Sequence, residues 1–261
     1  MKQLISVKTL LVISLIFLMG ISPAWAGPNS SAGCAPDLDY ETRAYDPEIS
    51  EKDIEARTQA SIGDEIWVAV VAQNVTNLDT YQAEVTFDPD NIAYLEGYED
   101  NSFSGITNLL KNNAGTTIGF QAVENTPGTV NIANTLIGSD TDQAPEGTGI
   151  IALLKFRVIG GSSDVPLTLS NVKYMDSEGS NEPLVIDDIS ELGNAVLELP
   201  PPGDIYAGDR EVNLKDAVTA LKVLADMNPD KVYLSDINGD KKIGTEEVIY
   251  VLQVVANLRD S

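Results

Sequence analysis

From about Glu51 to Leu199 the chain alternates apolar and polar residues with a period of two. In "YQAEVTF", Tyr81, Ala83, Val85 and Phe87 share one face, and Gln82, Glu84 and Thr86 share the other. "EIWVAVVAQN" sets Ile66, Val68, Val70 and Ala72 against Trp67, Ala69 and Val71. "IIALLKFRVIG" groups Ile150, Ala152, Leu154, Phe156 and Val158 and turns Lys155 and Arg157 outward. The same pattern predicts strands in "NIAYLEG", "TTIGFQAV", "GTVNIANTLIG", "VPLTLSNVKYMD" and "NAVLEL", separated by turn signals such as "DPDN", "TPG", "EGTG" and "GGSSD". Short half-buried strands between Gly/Pro turns predict a mainly β, two-sheet sandwich over 51–199. Its only helix-like stretch is the short "SGITNLLKNN".

At "LPPPGD" the pattern breaks. Three prolines cannot continue a central strand, so 200–203 reads as a stiff, Pro-rich linker. Beyond it the apolar period becomes three and four. "LKDAVTALKVLAD" aligns Val218, Leu221, Leu224 and Ala225 on one helical face, and "EEVIYVLQVVANL" aligns Val248, Val251, Leu252 and Val255. A shift of 31 residues superposes the two segments, placing Asp216 on Glu247, Leu221 on Leu252 and Val212 on Ile243. Residues 204–261 are therefore expected to form a small all-α tandem loop–helix unit.

The amino terminus sets the compartment. Lys2 and Lys8 precede the apolar run "LLVISLIFLMG", and "ISPAWA" supplies small residues, so 1–26 reads as a secretory signal peptide cut before Gly27. The run is short for a membrane anchor. Cys34, in "SAGC", lies far past it, with Ser31 where a lipid-attachment site usually has an aliphatic residue. Residues 27–50 lack an apolar period and are expected to form a flexible leader. With one cysteine there is no internal disulfide, and with no histidine there is no Ser-His-Asp or Cys-His nucleophile and no His-ligated metal. A formal charge of −24 opposes binding to nucleic acid or an anionic membrane and suits an exported protein that meets calcium.

The stretch "DINGDKKIGTEE" concentrates the candidate chemistry. Calcium takes about six to eight oxygen ligands, which a twelve-residue loop supplies from positions 1, 3, 5, 7, 9 and 12. Counting from Asp236, these are Asp236, Asn238, Asp240, the carbonyl of Lys242, a water at Gly244, and Glu247. Lys241 stands at position 6, where glycine is preferred. The first copy is degenerate: Asp216, Asn213 and Asp209 match positions 12, 9 and 5, but Ala207 and Ile205 fall at 3 and 1. Asp204 recovers position 1 only if that loop carries one extra residue, so the first loop is either a metal-free structural loop or a weak site.

"GDIYAGDREVNLKDAVTALKVL" and "SDINGDKKIGTEEVIYVLQVV" together resemble a dockerin module, although most dockerins end the loop with Asp where this chain has Glu247. "SIGDEIWVAVVAQNVTNLDTYQAEVTFDPDNIAYLEG" and "GTGIIALLKFRVIG" followed by "LTLSNVKYMDSEG" resemble a cohesin. The resemblance implies a jelly-roll sandwich that binds dockerins through one sheet face, joined to a calcium-dependent dockerin-like unit, as in some non-cellulosomal bacterial proteins. It also implies that strands 81–87 and 150–158 lie side by side. Gln82, Glu84, Thr86, Lys155 and Arg157 would then form one mixed-charge contact patch.

Three functions compete. The first is an exported assembly protein whose partner bears a dockerin or cohesin, another protein or a second copy of itself, with a link to polysaccharide degradation. The second is a carbohydrate-binding module, for which only Trp67 remains as tryptophan after signal removal. The third, an enzyme, lacks any spacing that singles out a catalytic carboxylate pair.

Overall fold

The computed structural model describes residues 27–40, 54–102, 105–137, 144–160, 164–176, 185–206, 209–230, 232–240 and 242–260. The expected signal peptide, 1–26, and the second part of the expected leader, 41–50, lie outside the described residues. Among those described, no helix is long and apolar enough to cross a membrane.

Twelve strands form two sheets. They are β1 (Gly33–Asp37), β2 (Arg57–Gln59), β3 (Glu65–Val75), β4 (Leu78–Thr86), β5 (Ile92–Tyr98), β6 (Thr117–Thr126), β7 (Thr129–Leu136), β8 (Gly147–Val158), β9 (Val165–Asp176), β10 (Ile186–Asp188), β11 (Glu191–Leu192) and β12 (Asn194–Glu198). One sheet runs β11-β1-β3-β8-β5. The other runs β2-β12-β9-β4-β7-β6, with β10 paired to β9. The alternation in β4 works as expected: Tyr81, Ala83, Val85 and Phe87 are buried between the sheets, against Val68, Val70, Leu154 and Phe156 of the facing sheet. Burial of these apolar faces drives the sandwich.

Three expectations need correction. The leader is not wholly flexible. Gly33–Asp37 is a fully buried strand along β3, with Cys34 opposite Ala72. Pro36 is tolerated there because β11 pairs only with Gly33 and Cys34, leaving β1 an edge at the proline. Burial pushes the Cys34 thiol up to about 12. The stretch "SGITNLLKNN" yields only a single 3-10 turn, Leu109–Lys111, capped by the Asn108 side chain. The third concerns Ile150, which leaves the face it was expected to share with Ala152. The β3–β8 register shifts between Val70 and Val71, so Ile151 is an unpaired bulge residue and Ile150 turns to the outer side of its sheet. The carbonyl of Ile151 is not orphaned: it accepts from the Tyr81 hydroxyl and, at 2.6 Å, from Asn108 Nδ2.

That outer side is itself covered. Ala69, Val71, Ile150 and Leu153 pack with Tyr40 from the segment after β1, and with Ile54, Trp67, Tyr98 and Ile106. The five-stranded sheet is thus sandwiched on both faces. The seven-stranded sheet presents its outer face to solvent.

The carboxy-terminal unit contains α1 (Leu214–Leu224) and α2 (Thr245–Val255), each preceded by a loop. Ile205, Ala217, Ala220, Val248, Tyr250 and Val251 form its core, flanked by Val212 and Ile243, the pair matched by the repeat. The proline stretch is not a free spacer: Leu199 and Pro200 are buried, and the turn closes through Asp204 N–H to the Pro201 carbonyl at 3.0 Å.

Candidate functional site

The second loop is wound by its own side chains. Asp236 Oδ1 accepts the N–H groups of Asn238 (3.2 Å) and Gly239 (2.7 Å). Asn238 Oδ1 accepts Asp240 N–H at 2.9 Å, and Asp240 Oδ1 accepts Lys242 N–H at 2.9 Å. Such local bonds from Asp and Asn hold the backbone in successive turns. Gly239, at φ 81°, makes the sharpest of them at position 4. Glu247 is fully buried at the first turn of α2 and accepts Ile237 N–H (3.2 Å) and Gly244 N–H (2.6 Å).

The first loop repeats this arrangement in part. Asp216 is also fully buried, and accepts N–H groups from Ile205 (2.8 Å), Tyr206 (2.7 Å) and Asn213 (2.7 Å). Ile205 stands eleven residues before Asp216, whereas Ile237 stands ten before Glu247. Tyr206, like Ile237, stands ten residues before the acidic residue it meets, so Asp216 takes both amides that follow Asp204. Arg210 takes position 6 with φ 54°, the left-handed backbone for which glycine is preferred there.

Asp204 is the least ordinary side chain of the unit. It is fully buried, and neither carboxylate oxygen has a hydrogen-bond partner. Burial, followed by the charges of Asp216 and Asp209, pushes it up to about 7. A buried carboxylate without a hydrogen-bond partner is a group that a cation would satisfy, and the donor set of Asp204, Asp209, Asn213 and Asp216 is all oxygen, which fits calcium. Asp209 also faces Lys215 Nζ at 3.3 Å, and Asn213 caps α1 by accepting Lys215 N–H at 2.9 Å. Among the described residues no three acidic side chains are drawn together as a ready-made ion cage. The carboxylates of Asp216 and Glu247 are instead turned onto backbone N–H groups.

The helices carry the second feature. Helix α1 buries Ala217 and Ala220, small residues that let α2 approach, and leaves Leu214, Val218, Leu221 and Leu224 exposed. Leu221 is 52% exposed, and its repeat mate Leu252 45%. The α1 stripe seen in the sequence is thus a surface, whereas the α2 stripe is divided: Val248 and Val251 are core and Leu252 is exposed, as are Ile249, Met227 and Leu258. Exposed large apolar side chains in such number on two short helices are a feature of surfaces that bind something.

On the sandwich, the expected contact patch divides. Gln82, Glu84 and Thr86 do point outward from β4, but β4 and β8 belong to different sheets, so Lys155 and Arg157 cannot join them. Lys155 and Arg157 both bind Glu65 across the β3–β8 ladder, Lys155 at 2.6 Å. The true neighbours of Glu84 are Asn171 (2.6 Å), Ser170, and Asn131 across the β4–β7 pair. Gln82 stands between Ala133 and Lys173, and Thr86 between Thr129 and Thr168. This face is polar, and none of these positions carries an aromatic ring. Trp67 lies on the other sheet, stacked on Tyr98 at 5.2 Å with Lys155 Nζ 5.4 Å from its ring centre.

Sequence reasoning missed Arg210 and Tyr233 as contacts between the two units. Arg210 reaches Glu198 (2.7 Å) and Asp164 (2.9 Å) of the sandwich, and the Tyr233 hydroxyl donates to Gln59 Oε1 at 3.0 Å. An arginine at the glycine position of the loop was the available signal.

No protein-family profile matches the chain, and no curated protein matches it. Several solved structures do. A non-cellulosomal cohesin from the hyperthermophilic archaeon Archaeoglobus fulgidus is 14% identical, covering 64% of this chain and 90% of that one, with a TM-score of 0.42. The seventh ScaB type I cohesin from Pseudobacteroides cellulosolvens is 11% identical over 65% and 92%, with a TM-score of 0.45. A chain of a type I cohesin–dockerin complex from Clostridium thermocellum is 12% identical over 64% and 94%, with a TM-score of 0.44. The solved structures to which this chain bears a distant likeness are thus cohesins.

Proposed function

We propose that this is an exported, non-enzymatic assembly protein whose carboxy-terminal unit is a calcium-dependent, dockerin-like docking module. The carrying observation is the pair of packed helices that leave Leu214, Val218, Leu221, Ile249 and Leu252 exposed. In the second loop Asp236, Asn238, Asp240, the Lys242 carbonyl and Glu247 hold one ion. In the first, Asp204, Asp209, Asn213 and Asp216 hold another. Calcium supplies the charge that these buried carboxylates lack, and so fixes the ends of both helices. The apolar face then docks on a partner carrying a cohesin-like sandwich. The outer face of this chain's own seven-stranded sheet, around Gln82, Glu84 and Thr86, receives a helical module in turn.

Capture tests the reading. The chain without residues 1–26 is immobilised and exposed to exported proteins in calcium or in chelator. A sandwich-bearing partner retained only in calcium, and lost in Leu221→Glu/Leu252→Glu, is expected. Calcium-independent retention on cellulose or chitin that Trp67→Ala abolishes would instead make it a carbohydrate-binding protein.

A further inference from the structure

We infer that Arg210 makes the first loop the joint between the two units, so that calcium uptake there and fixing of the helical unit on the sandwich are one coupled event. The inference rests on the calcium reading given above. Arg210 lies inside the loop, between Asp209 and Glu211, yet its guanidinium points away from it. Its Nη1 donates to Glu198 Oε2 at 2.7 Å and its Nη2 to Asp164 Oδ1 at 2.9 Å, with the Leu199 carbonyl at 3.3 Å. The acceptors come from the end of β12, the approach to β9 and the chain just before the prolines. Two sandwich segments thus converge on one loop residue.

The backbone supplies the coupling. Arg210 holds φ 54°, a strained conformation for a residue with a side chain. A calcium loop needs a sharp turn at that position, and the sandwich contacts need the same turn to aim the guanidinium at two carboxylates. Each event stabilises the conformation that the other requires, which is positive coupling, and it is reciprocal. Charge acts in the same direction. With the guanidinium drawn to Glu198 and Asp164, the positive charge of the loop is committed to carboxylates of the sandwich. Asp204 follows Gly203, whose N–H donates to Ser235 Oγ at 2.6 Å, and Tyr233 nearby holds Gln59, so the second loop's approach is tied to the same seam.

The test uses the chain without residues 1–26, with Asp236→Ala silencing the second loop so that calcium alone reads the first. Competition with a chelating dye gives the affinity, and small-angle scattering gives the spread of the two units. Asp164→Asn/Glu198→Gln is expected to weaken calcium binding by about tenfold. Calcium should compact the parent chain but not this variant. Asp164→Asn alone, at a partly exposed position, should move both readings in the same direction, which covers any disturbance of β12 by the Glu198 change. Unchanged affinity in both variants, or dimensions of the parent chain that ignore calcium, would overturn the coupling. A parent chain that binds no calcium at its first loop would overturn the calcium reading of that loop, and the coupling with it.

Discussion

Neutralising Asp204 should change the helical unit in opposite directions with and without calcium. Its carboxyl is held near 7, against an ordinary value of 3.8, chiefly by burial and then by Asp216 and Asp209. The folded unit therefore binds this proton more tightly than the unfolded chain does, and its stability falls as pH rises from about 4 through 7. A shift of about three units corresponds to roughly 4 kcal/mol lost by pH 8. Asp204→Asn removes that charge but buries an amide with no partner, at a cost of about 1–3 kcal/mol. The net gain in chelator at pH 8 is then about 1–3 kcal/mol, shrinking towards zero or below near pH 5, where the parent carboxyl is protonated. In saturating calcium the order reverses, because the variant has lost a charged ligand. Urea unfolding followed by helical circular dichroism of the chain lacking residues 1–26, at pH 5 and 8, with calcium and with chelator, reads all four conditions. A variant less stable than the parent in chelator at pH 8, or equally stabilised by calcium, would refute the reasoning.

Gly203→Ala should destabilise the helical unit by about 1–3 kcal/mol. Its φ is +87° and an added Cβ would stand 2.8 Å from the Tyr250 ring, so calcium-loaded thermal unfolding should show the loss. Tyr81→Phe should cost the sandwich about 1–2 kcal/mol in denaturant unfolding, because the bulged Ile151 carbonyl keeps only its Asn108 donor. Glu84→Lys should weaken capture of a helical module on the seven-stranded face, whereas Lys155→Glu should leave it unchanged. Equal effects in surface binding would argue against that face.

Strand positions were legible wherever a ladder buries one face, as in β4, because period two is the direct imprint of the pleat. Ile150 was misassigned because a bulge depends on Tyr81 and Asn108, which approach from distant parts of the chain. "GCAPD" has no alternation to read, since β1 is buried on both faces. The grouping of Gln82, Glu84 and Thr86 with Lys155 and Arg157 failed because outward direction within a strand says nothing about which sheet holds it. Helical period located α1 and α2 but could not tell a core stripe from an exposed one; Ala217 and Ala220, too small to draw notice, are the buried apolar positions of α1. Ligand spacing marked Asp236 to Glu247, where the structure does form a loop wound by its own Asp and Asn side chains, whereas the count of the first loop from Asp216 gave no sign that Asp204 would be buried without a partner.

Calcium stoichiometry tests the central claim most directly, because the docking face depends on both loops being held. Calorimetric titration of the chain without residues 1–26 should count two ions, one lost in Asp236→Ala and the other in Asp204→Ala. Affinities should lie on the order of 10⁻⁷ to 10⁻⁴ M. No calcium heat, or two ions that survive both substitutions, would contradict it.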